Sequence, residues 1–203
     1  MRLGEALDLV QRQKDKQQIR EIWLVCGFQP LHLETFLHAH LAQRFPHERA
    51  VVRTGLYGNP RQALDAAAGS HAEAAAVVIE WSDLDPRLGV RGTGGWALSS
   101  QDDITGVCRQ AFAAMLEGLK RLAARMPVVV VPPSLPLSLL GHTPGWQLSV
   151  TEAELRTQAA AFVSDAARIA NVSVVHPSAL DRLSPESSRL DAHMELGAGF
   201  PYT

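Results

Sequence analysis

The stretch AAAVVIEWSDLDPRLGVRGTGGW, residues 74–96, decides the fold of this chain. It opens with the unbroken apolar run Ala74 to Ile79 and then changes within one residue to charged and aromatic side chains. A run rich in Val and Ile with no polar alternation is typical of a strand that is covered on both faces, as in a parallel sheet. The sequence therefore predicts a buried parallel strand that ends where the polar residues begin.

The polar segment after this strand is a candidate binding site. Glu80, Trp81, Asp83 and Arg87 follow the predicted strand directly. Open α/β sheets bind their ligands in the crevice beyond the carboxyl ends of the strands, so we predict that these residues line such a crevice. In that case Trp81 and Trp96 are buried, and an arginine pairs with a carboxylate beside the crevice. The alternative is a solvated loop whose charges pair only with one another and with water.

Strand and helix patterns alternate along the rest of the chain. Short apolar runs predict further strands at 22–26, 50–54, 128–131 and 172–175. Apolar residues at 3–4 spacing and capping signals predict helices at 2–18, from residue 30 onward, at 61–68, 102–125 and 151–170. The segment after residue 176 is predicted to be irregular apart from one short helix, so the helix that would cover the outer strands is missing.

This alternation predicts an α/β fold. Five parallel strands joined by right-handed helical crossovers favour a three-layer, doubly wound sheet in the flavodoxin-like order 2-1-3-4-5. No repeat or linker interrupts the pattern, so we expect a single domain over residues 1–203, with an N-terminal helix within residues 1–20. The open flank of the fifth strand is expected to be shielded by a second copy, by a partner protein, or by further residues of a longer chain.

Composition indicates a soluble, cytoplasmic protein. The 203 residues are 46% hydrophobic and 20% charged, and the formal net charge of -2 gives no electrostatic argument for binding nucleic acid or an anionic membrane. No apolar run approaches the length of a membrane span, and no signal peptide follows Met1. Cys26 and Cys108 are expected to be free thiols in a reducing compartment.

The predicted topology brings the residues that follow the strands to one edge of the sheet: Gly27-Phe28-Gln29, Gly58-Asn59, Glu80 to Asp85, Ser134 and His176. This layout resembles that of the SGNH (GDSL-like) hydrolases, which need a serine nucleophile on a tight turn, oxyanion donors from glycine and asparagine, and an Asp-x-x-His base. Here Gln29 occupies the serine position, and an amide is no useful nucleophile. The resemblance implies oxyanion-type roles for Gly58 and Asn59 only.

Three short motifs carry a closer resemblance, namely Gly27 to Leu31, Leu56 to Asn59 and Gly199 to Tyr202. They are similar to the N-terminal, SGNH-like region of FkbH-type proteins, which precedes a HAD domain that loads glyceryl units onto acyl-carrier proteins. The HAD domain itself is not predicted in this chain, so its loading chemistry is not carried over. The resemblance implies a degenerate binding or partner module in polyketide-type secondary metabolism. Its substrate would be acyl or carrier-linked, and its partner an acyl-carrier protein or a HAD-type protein.

Two functional readings therefore remain open, and neither includes a cofactor or a metal. In the first, a non-catalytic crevice binds substrate through Gln29, Gly58, Asn59, Glu80, Trp81, Asp83 and Arg87. In the second, the chain is an active esterase or acyltransferase of SGNH type with non-standard catalytic residues. The candidates for that chemistry are Ser82, His176, Asp191 and His193.

Overall fold

Five strands form the centre of the molecule. The computed structural model describes residues 1–92, 100–137, 144 and 146–203. Within these ranges the strands are β1 (Ile19–Val25), β2 (Arg49–Thr54), β3 (Ala74–Val78), β4 (Val128–Val131) and β5 (Val172–Val174). They form one sheet in the order β2-β1-β3-β4-β5, and every pairing is parallel. The predicted fold class and strand order are confirmed.

Helices connect the strands and follow the last one. They are α1 (Leu3–Arg12), α2 (Leu31–Arg44), α3 (Pro60–Ala68), α4 (Trp81–Leu84), α5 (Gln101–Ala123), α6 (Val150–Ala166), α7 (Pro177–Leu183) and α8 (Ala192–Ala198). Single 3-10 turns lie at Pro86–Leu88, Val90–Gly92 and Glu186–Ser188. None of these described helices is long and apolar enough to cross a membrane.

The two faces of the sheet are covered unequally. Side chains such as Val25, Val77 and Val130 face α3, α5 and α6 and form the larger core cluster. The neighbouring residues along each strand point to the opposite face, where α2 packs against β1, β2 and β3. On that second face Val129 of β4 is 44% exposed. The α2 face is therefore partly uncovered at β4, while the open flank of the fifth strand and what shields it stay predictions.

The C-terminal segment is more regular than the sequence predicts. Instead of one short helix it contains α7 and α8, each of which begins at a side-chain cap and not at an apolar pattern. His176 caps α7 through Ser178 N, and Asp191 caps α8 through Met194 N. Gly199 ends α8 in the left-handed conformation, with φ 73°, which a side chain would strain. The segment is brought back against the carboxyl ends of the strands, where it forms part of the site described next.

Candidate functional site

A pocket of about 250 Å³ lies at the carboxyl edge of the sheet, beyond the ends of β1, β2 and β3. We call it the carboxyl-edge pocket. Its polar lining comes from Tyr57, Ser82, Asp83, Arg91 and Glu195. These side chains come from three separate parts of the chain, which the parallel topology and α8 bring together. The location is the one in which α/β sheets bind ligands.

Asp83 is the most perturbed acid in this pocket. Its Oδ2 accepts the Glu80 N–H at 2.9 Å, and its own N–H donates to the Glu80 carbonyl at 2.9 Å. The Gly27 N–H also donates to its carboxylate. Burial first, and then the charges of Glu80 and Glu195, raise the pKa of Asp83 to about 7, although these N–H donors favour the charged form. Near neutral pH, the protonated and the ionised forms of Asp83 are thus both populated.

Gly27 provides the space that Asp83 occupies. A Cβ at this position would lie 1.9 Å from Asp83 Oδ1 and 2.8 Å from its Cγ. These separations are far below van der Waals contact, so only glycine lets the carboxylate approach the backbone after β1. Position 27 is therefore part of the site although it contributes no side chain.

Glu195 and Arg91 form the opposite wall. Arg91 donates from Nη2 to the carbonyls of Glu195 and Leu196, at 2.9 and 3.0 Å, which ties the turn Val90–Gly92 to the C-terminal part of α8. Burial raises the pKa of Glu195, while the Val90 N–H and the charge of Arg91 act in the opposite direction. The wall thus combines a carboxyl group with a guanidinium group at the mouth of the pocket.

Glu80 lies behind the pocket and is fully buried, with 1% of its surface exposed. Its Oε2 accepts the N–H groups of Ser134 and Leu135, both at 3.0 Å. Its Oε1 accepts the hydroxyl groups of Ser134 at 2.7 Å and of Tyr202 at 2.6 Å. Burial raises the pKa of Glu80, whereas these four donors lower it. The predicted crevice residue Glu80 is therefore a support for the site and does not line it.

The segment after β3 folds back over the sheet and is no solvated loop. Trp81 is buried, and its Nε1 donates to the Leu135 carbonyl at 2.9 Å. Arg87 pairs with both oxygens of Asp85 and, through Nη1, with Asp103 at 2.7 Å. Asp85 is 2% exposed, so this pair is shielded from water on one side. Trp96, which was also predicted to be buried, lies outside the described residues.

Removing the Arg87 side chain is expected to destabilise the protein. The change Arg87→Ala leaves the Asp85 carboxylate buried without its cation, a loss worth about 3–5 kcal/mol for a fully buried pair. Because the Arg87 side chain is 31% exposed, solvent screens part of that cost. We expect thermal melts followed by circular dichroism to show a midpoint several degrees lower. The matched change Arg12→Ala, at an exposed position of α1, should leave the midpoint in place, and equal shifts would contradict the shielded pair.

The other predicted substrate-binding residues take different places. Gly58 lines the carboxyl-edge pocket, whereas Gln29 does not. The Gln29 N–H donates to the Gly199 carbonyl at 2.9 Å, so this residue fixes the C-terminal segment. Asn59 caps α3, where its Oδ1 accepts the Gln62 N–H at 3.0 Å. Ligand contacts by Gln29 and Asn59 stay predictions.

Of the predicted catalytic candidates, Ser82 alone lines this pocket among the described residues. His176 is exposed at the start of α7, and its Nδ1 accepts the Ser178 N–H at 3.2 Å. Asp191 caps α8 and accepts the Met194 N–H at 2.9 Å, while His193 is exposed on the same helix. The catalytic roles of these four residues stay predictions. In the ranges 1–92, 100–137, 144 and 146–203, no three His, Cys, Asp or Glu side chains are arranged to hold a metal ion.

Sequence reasoning missed Tyr57 and Glu195 as site residues. Tyr57 lies within the motif Leu56 to Asn59, of which only Gly58 and Asn59 were predicted to bind, although it follows β2 at the same sheet edge. Glu195 lies on α8, and no motif links that helix to β3. Asp191 as a helix cap and Gly199 as a helix end are a sequence signal for α8 itself. They do not predict that α8 lies against the pocket.

Comparison with known proteins finds similarity among solved structures. No protein-family model matches the chain, and no curated protein sequence is significantly similar to it. A solved structure that matches is the crystal structure of the N-terminal part of the protein BF1531 from Bacteroides fragilis, described as containing a phosphatase domain complexed with Mg. The TM-score is 0.62 at 8% sequence identity, and the match covers 98% of this chain but 52% of the other. This chain thus spans about half the length of that solved chain, and the likeness shows the fold.

This comparison corrects the resemblance that the sequence motifs predicted. The matching structure is described by its phosphatase domain and not as an SGNH hydrolase, so the predicted SGNH and FkbH-type resemblance was wrong. The predicted role as a binding or partner module of polyketide-type biosynthesis was wrong with it. The motifs behind that prediction are short turns and caps, which recur in unrelated α/β folds for reasons of local geometry.

Proposed function

We propose that the carboxyl-edge pocket binds a small phosphate ester and that Asp83 is the general acid in its hydrolysis. The observation that carries this proposal is that Asp83, Arg91 and Glu195 line one pocket at the carboxyl edge of the sheet, and the pKa of Asp83, raised by burial to about 7, supports it. A general acid works best when its pKa lies near the working pH. A neutral Asp83 also removes the repulsion that a carboxylate would exert on an anionic ligand.

Each polar wall of the pocket has a role in this reaction. Arg91 contacts the non-bridging oxygens of the phosphoryl group, since guanidinium groups match phosphate geometry. A water oxygen forms the new bond to phosphorus while the bond to the leaving oxygen breaks. The Asp83 proton passes to that leaving oxygen, and the Glu195 carboxylate takes the proton of the attacking water. Ser82 and Tyr57 supply hydroxyl groups that orient the ester.

The comparison with BF1531 supports a phosphatase-type reaction, because the matching structure is described as containing a phosphatase domain. Its description also includes Mg, and the residues of this pocket do not fit that ion. Metal ligands must be ionised, whereas burial favours the neutral form of Asp83. Backbone N–H groups already donate to the carboxylates of both Asp83 and Glu195. The proposed reaction therefore includes no step through a metal.

The change Asp83→Asn tests this function. Phosphate release from a panel of small phosphate monoesters is measured in the presence of EDTA at pH 6, with the wild type and the variant. Loss of a general acid lowers the rate about 10²–10⁴-fold, and asparagine keeps the shape of the side chain. The control Asp8→Asn changes an exposed acid of α1 and should leave the rate unchanged.

Two outcomes would contradict the proposal. One is a wild-type protein that releases phosphate from none of these esters, and the other is an Asp83→Asn variant that keeps the wild-type rate.

The proposal includes a cytoplasmic location, which the free, buried thiols of Cys26 and Cys108 support.

A further inference from the structure

Glu80 is the point at which three distant parts of the chain meet. It follows β3 directly, and its carboxylate accepts two backbone N–H groups and a hydroxyl group from Ser134 and Leu135, which follow β4. The fourth donor is the hydroxyl group of Tyr202, 122 residues later in the chain. Fully buried carboxylates are rare because burying their charge costs free energy. A buried carboxylate with four donors therefore calls for an explanation of its role.

The same residue is connected to both walls of the carboxyl-edge pocket. On one side its N–H and carbonyl exchange hydrogen bonds with Asp83, both at 2.9 Å. On the other side its carboxylate accepts the hydroxyl group of Tyr202, which directly follows the segment that contains the pocket-lining residues Gly199 and Pro201. Tyr202 also packs edge-on against Phe28, with ring centroids 5.3 Å apart. Glu80 therefore holds the acid and the C-terminal wall in one arrangement.

We propose that Glu80 is a positioning residue of the carboxyl-edge pocket, which acts on Asp83 through its negative charge and on the pocket wall through Tyr202. The inference deepens the proposed function, since a general acid must keep its proton near neutral pH. Removing a nearby like charge makes a carboxyl group a stronger acid. Without the charge of Glu80, Asp83 would thus release its proton at lower pH.

Asp83 is surrounded by other titratable groups, and all of them stay in place when Glu80 alone is changed. Glu195 of α8 acts on Asp83 with the same sign as Glu80. Cys26 after β1 and the Tyr202 hydroxyl also interact electrostatically with Asp83. Burial raises the pKa of the Cys26 thiol to about 12 and that of Tyr202 well above its usual value, so both are neutral across the relevant range.

The change Glu80→Gln removes the charge and keeps the hydrogen bonds. The amide oxygen can take the place of Oε2, where it accepts the N–H groups of Ser134 and Leu135. The amide nitrogen then takes the place of Oε1 and donates to the hydroxyl oxygens of Ser134 and Tyr202, which rotate to accept. The complementary change Tyr202→Phe removes the link to the wall and leaves the Glu80 carboxylate with three of its four donors.

Two readouts that need no substrate test the inference on the full chain. Carboxyl ¹³C NMR follows the titration of Asp83, assigned with Asp83→Asn, and amide exchange of Gln29 reports the wall through its bond to Gly199. We expect Glu80→Gln to lower the titration midpoint of Asp83 by about one pH unit, with unchanged Gln29 exchange. We expect Tyr202→Phe to speed Gln29 exchange several-fold, because the wall then loses its hydrogen bond to Glu80.

The opposite pattern would overturn the inference. An unchanged Asp83 midpoint in Glu80→Gln would show that the charge of Glu80 does not act on Asp83. Unchanged Gln29 exchange in Tyr202→Phe would show that Tyr202 does not hold the pocket wall. Failure of Glu80→Gln to fold would also contradict it, because Glu80 would then have a purely structural role. Neither readout depends on turnover. An inactive protein would therefore refute the proposed reaction, while the NMR and exchange measurements would still test the role of Glu80.

Discussion

Replacing Glu80 by Ala is expected to lower the stability of the protein more than any other single change at the site. The Glu80→Ala variant leaves two backbone N–H groups and two hydroxyl groups without their acceptor, in a place where Glu80 itself is 1% exposed. Each buried donor left unsatisfied costs about 1–3 kcal/mol, and water entering the vacated space offsets part of the sum. A net loss on the order of 3–5 kcal/mol follows.

Thermal and urea denaturation measure this loss. For a chain of this size, a loss of that order corresponds to a fall of about 10 °C in the melting temperature. The control Glu117→Ala removes an exposed carboxylate of α5 that pairs with Lys120, and such surface pairs contribute little. If Glu80→Ala and Glu117→Ala shift the midpoint equally, the four hydrogen bonds of Glu80 do not stabilise the fold.

A methyl group at position 27 is expected to displace Asp83 from the site. In the Gly27→Ala variant the new Cβ would lie 1.9 Å from Asp83 Oδ1 and 3.2 Å from Pro60 Cδ. Either the turn after β1 or the Asp83 carboxylate must move, and overpacking of this kind costs about 1–3 kcal/mol. A displaced Asp83 loses the N–H donors of Gly27 and Glu80. We expect phosphate release to fall by at least tenfold, together with a lower melting temperature.

Another glycine provides the matched control for this prediction. Gly106 lies in α5, and a Cβ there would meet nothing within 4 Å. Alanine favours a helix more than glycine does, so Gly106→Ala should raise stability slightly, by about 0.5–1 kcal/mol, and leave activity unchanged. Wild-type activity in Gly27→Ala would show that the position of Asp83 is not critical. A loss in both variants would point to a general effect of substitution.

The strands were predictable because their sequence pattern and their environment agree. The run Val128–Val131 and the run after Glu73 are apolar without alternation, as expected for strands in a parallel sheet, and the observed strands lie within the predicted ones or extend them by a few residues. Short helices were harder, since α4 and α8 have four and seven residues and depend on caps and packing. A pocket lies at the predicted sheet edge, and of the predicted binding residues Gly58 and Asp83 line it.

Several residues predicted for the crevice lie outside the carboxyl-edge pocket for physical reasons. Trp81 in α4 and Arg87 in the 3-10 turn Pro86–Leu88 follow β3 as predicted. Their side chains bond to Leu135 and Asp85 and do not line the carboxyl-edge pocket. The Glu80 side chain points into the protein because the hydroxyl groups of Ser134 and Tyr202 donate hydrogen bonds to it there. Glu195 reaches the pocket through contacts that span more than 100 residues, such as the bond from Arg91 to its carbonyl. Local patterns contain no information about such contacts.

The dependence of phosphate release on pH, measured with EDTA present, tests the central claim most directly. A general acid acts in its protonated form, so the wild-type rate should be highest below the Asp83 pKa of about 7 and fall about tenfold per pH unit above it. In Asp83→Asn this decline should disappear along with most of the rate. A wild-type rate that stays level or rises as pH passes through 7, or a decline that persists in Asp83→Asn, would contradict the assignment of Asp83 as the acid of this pocket.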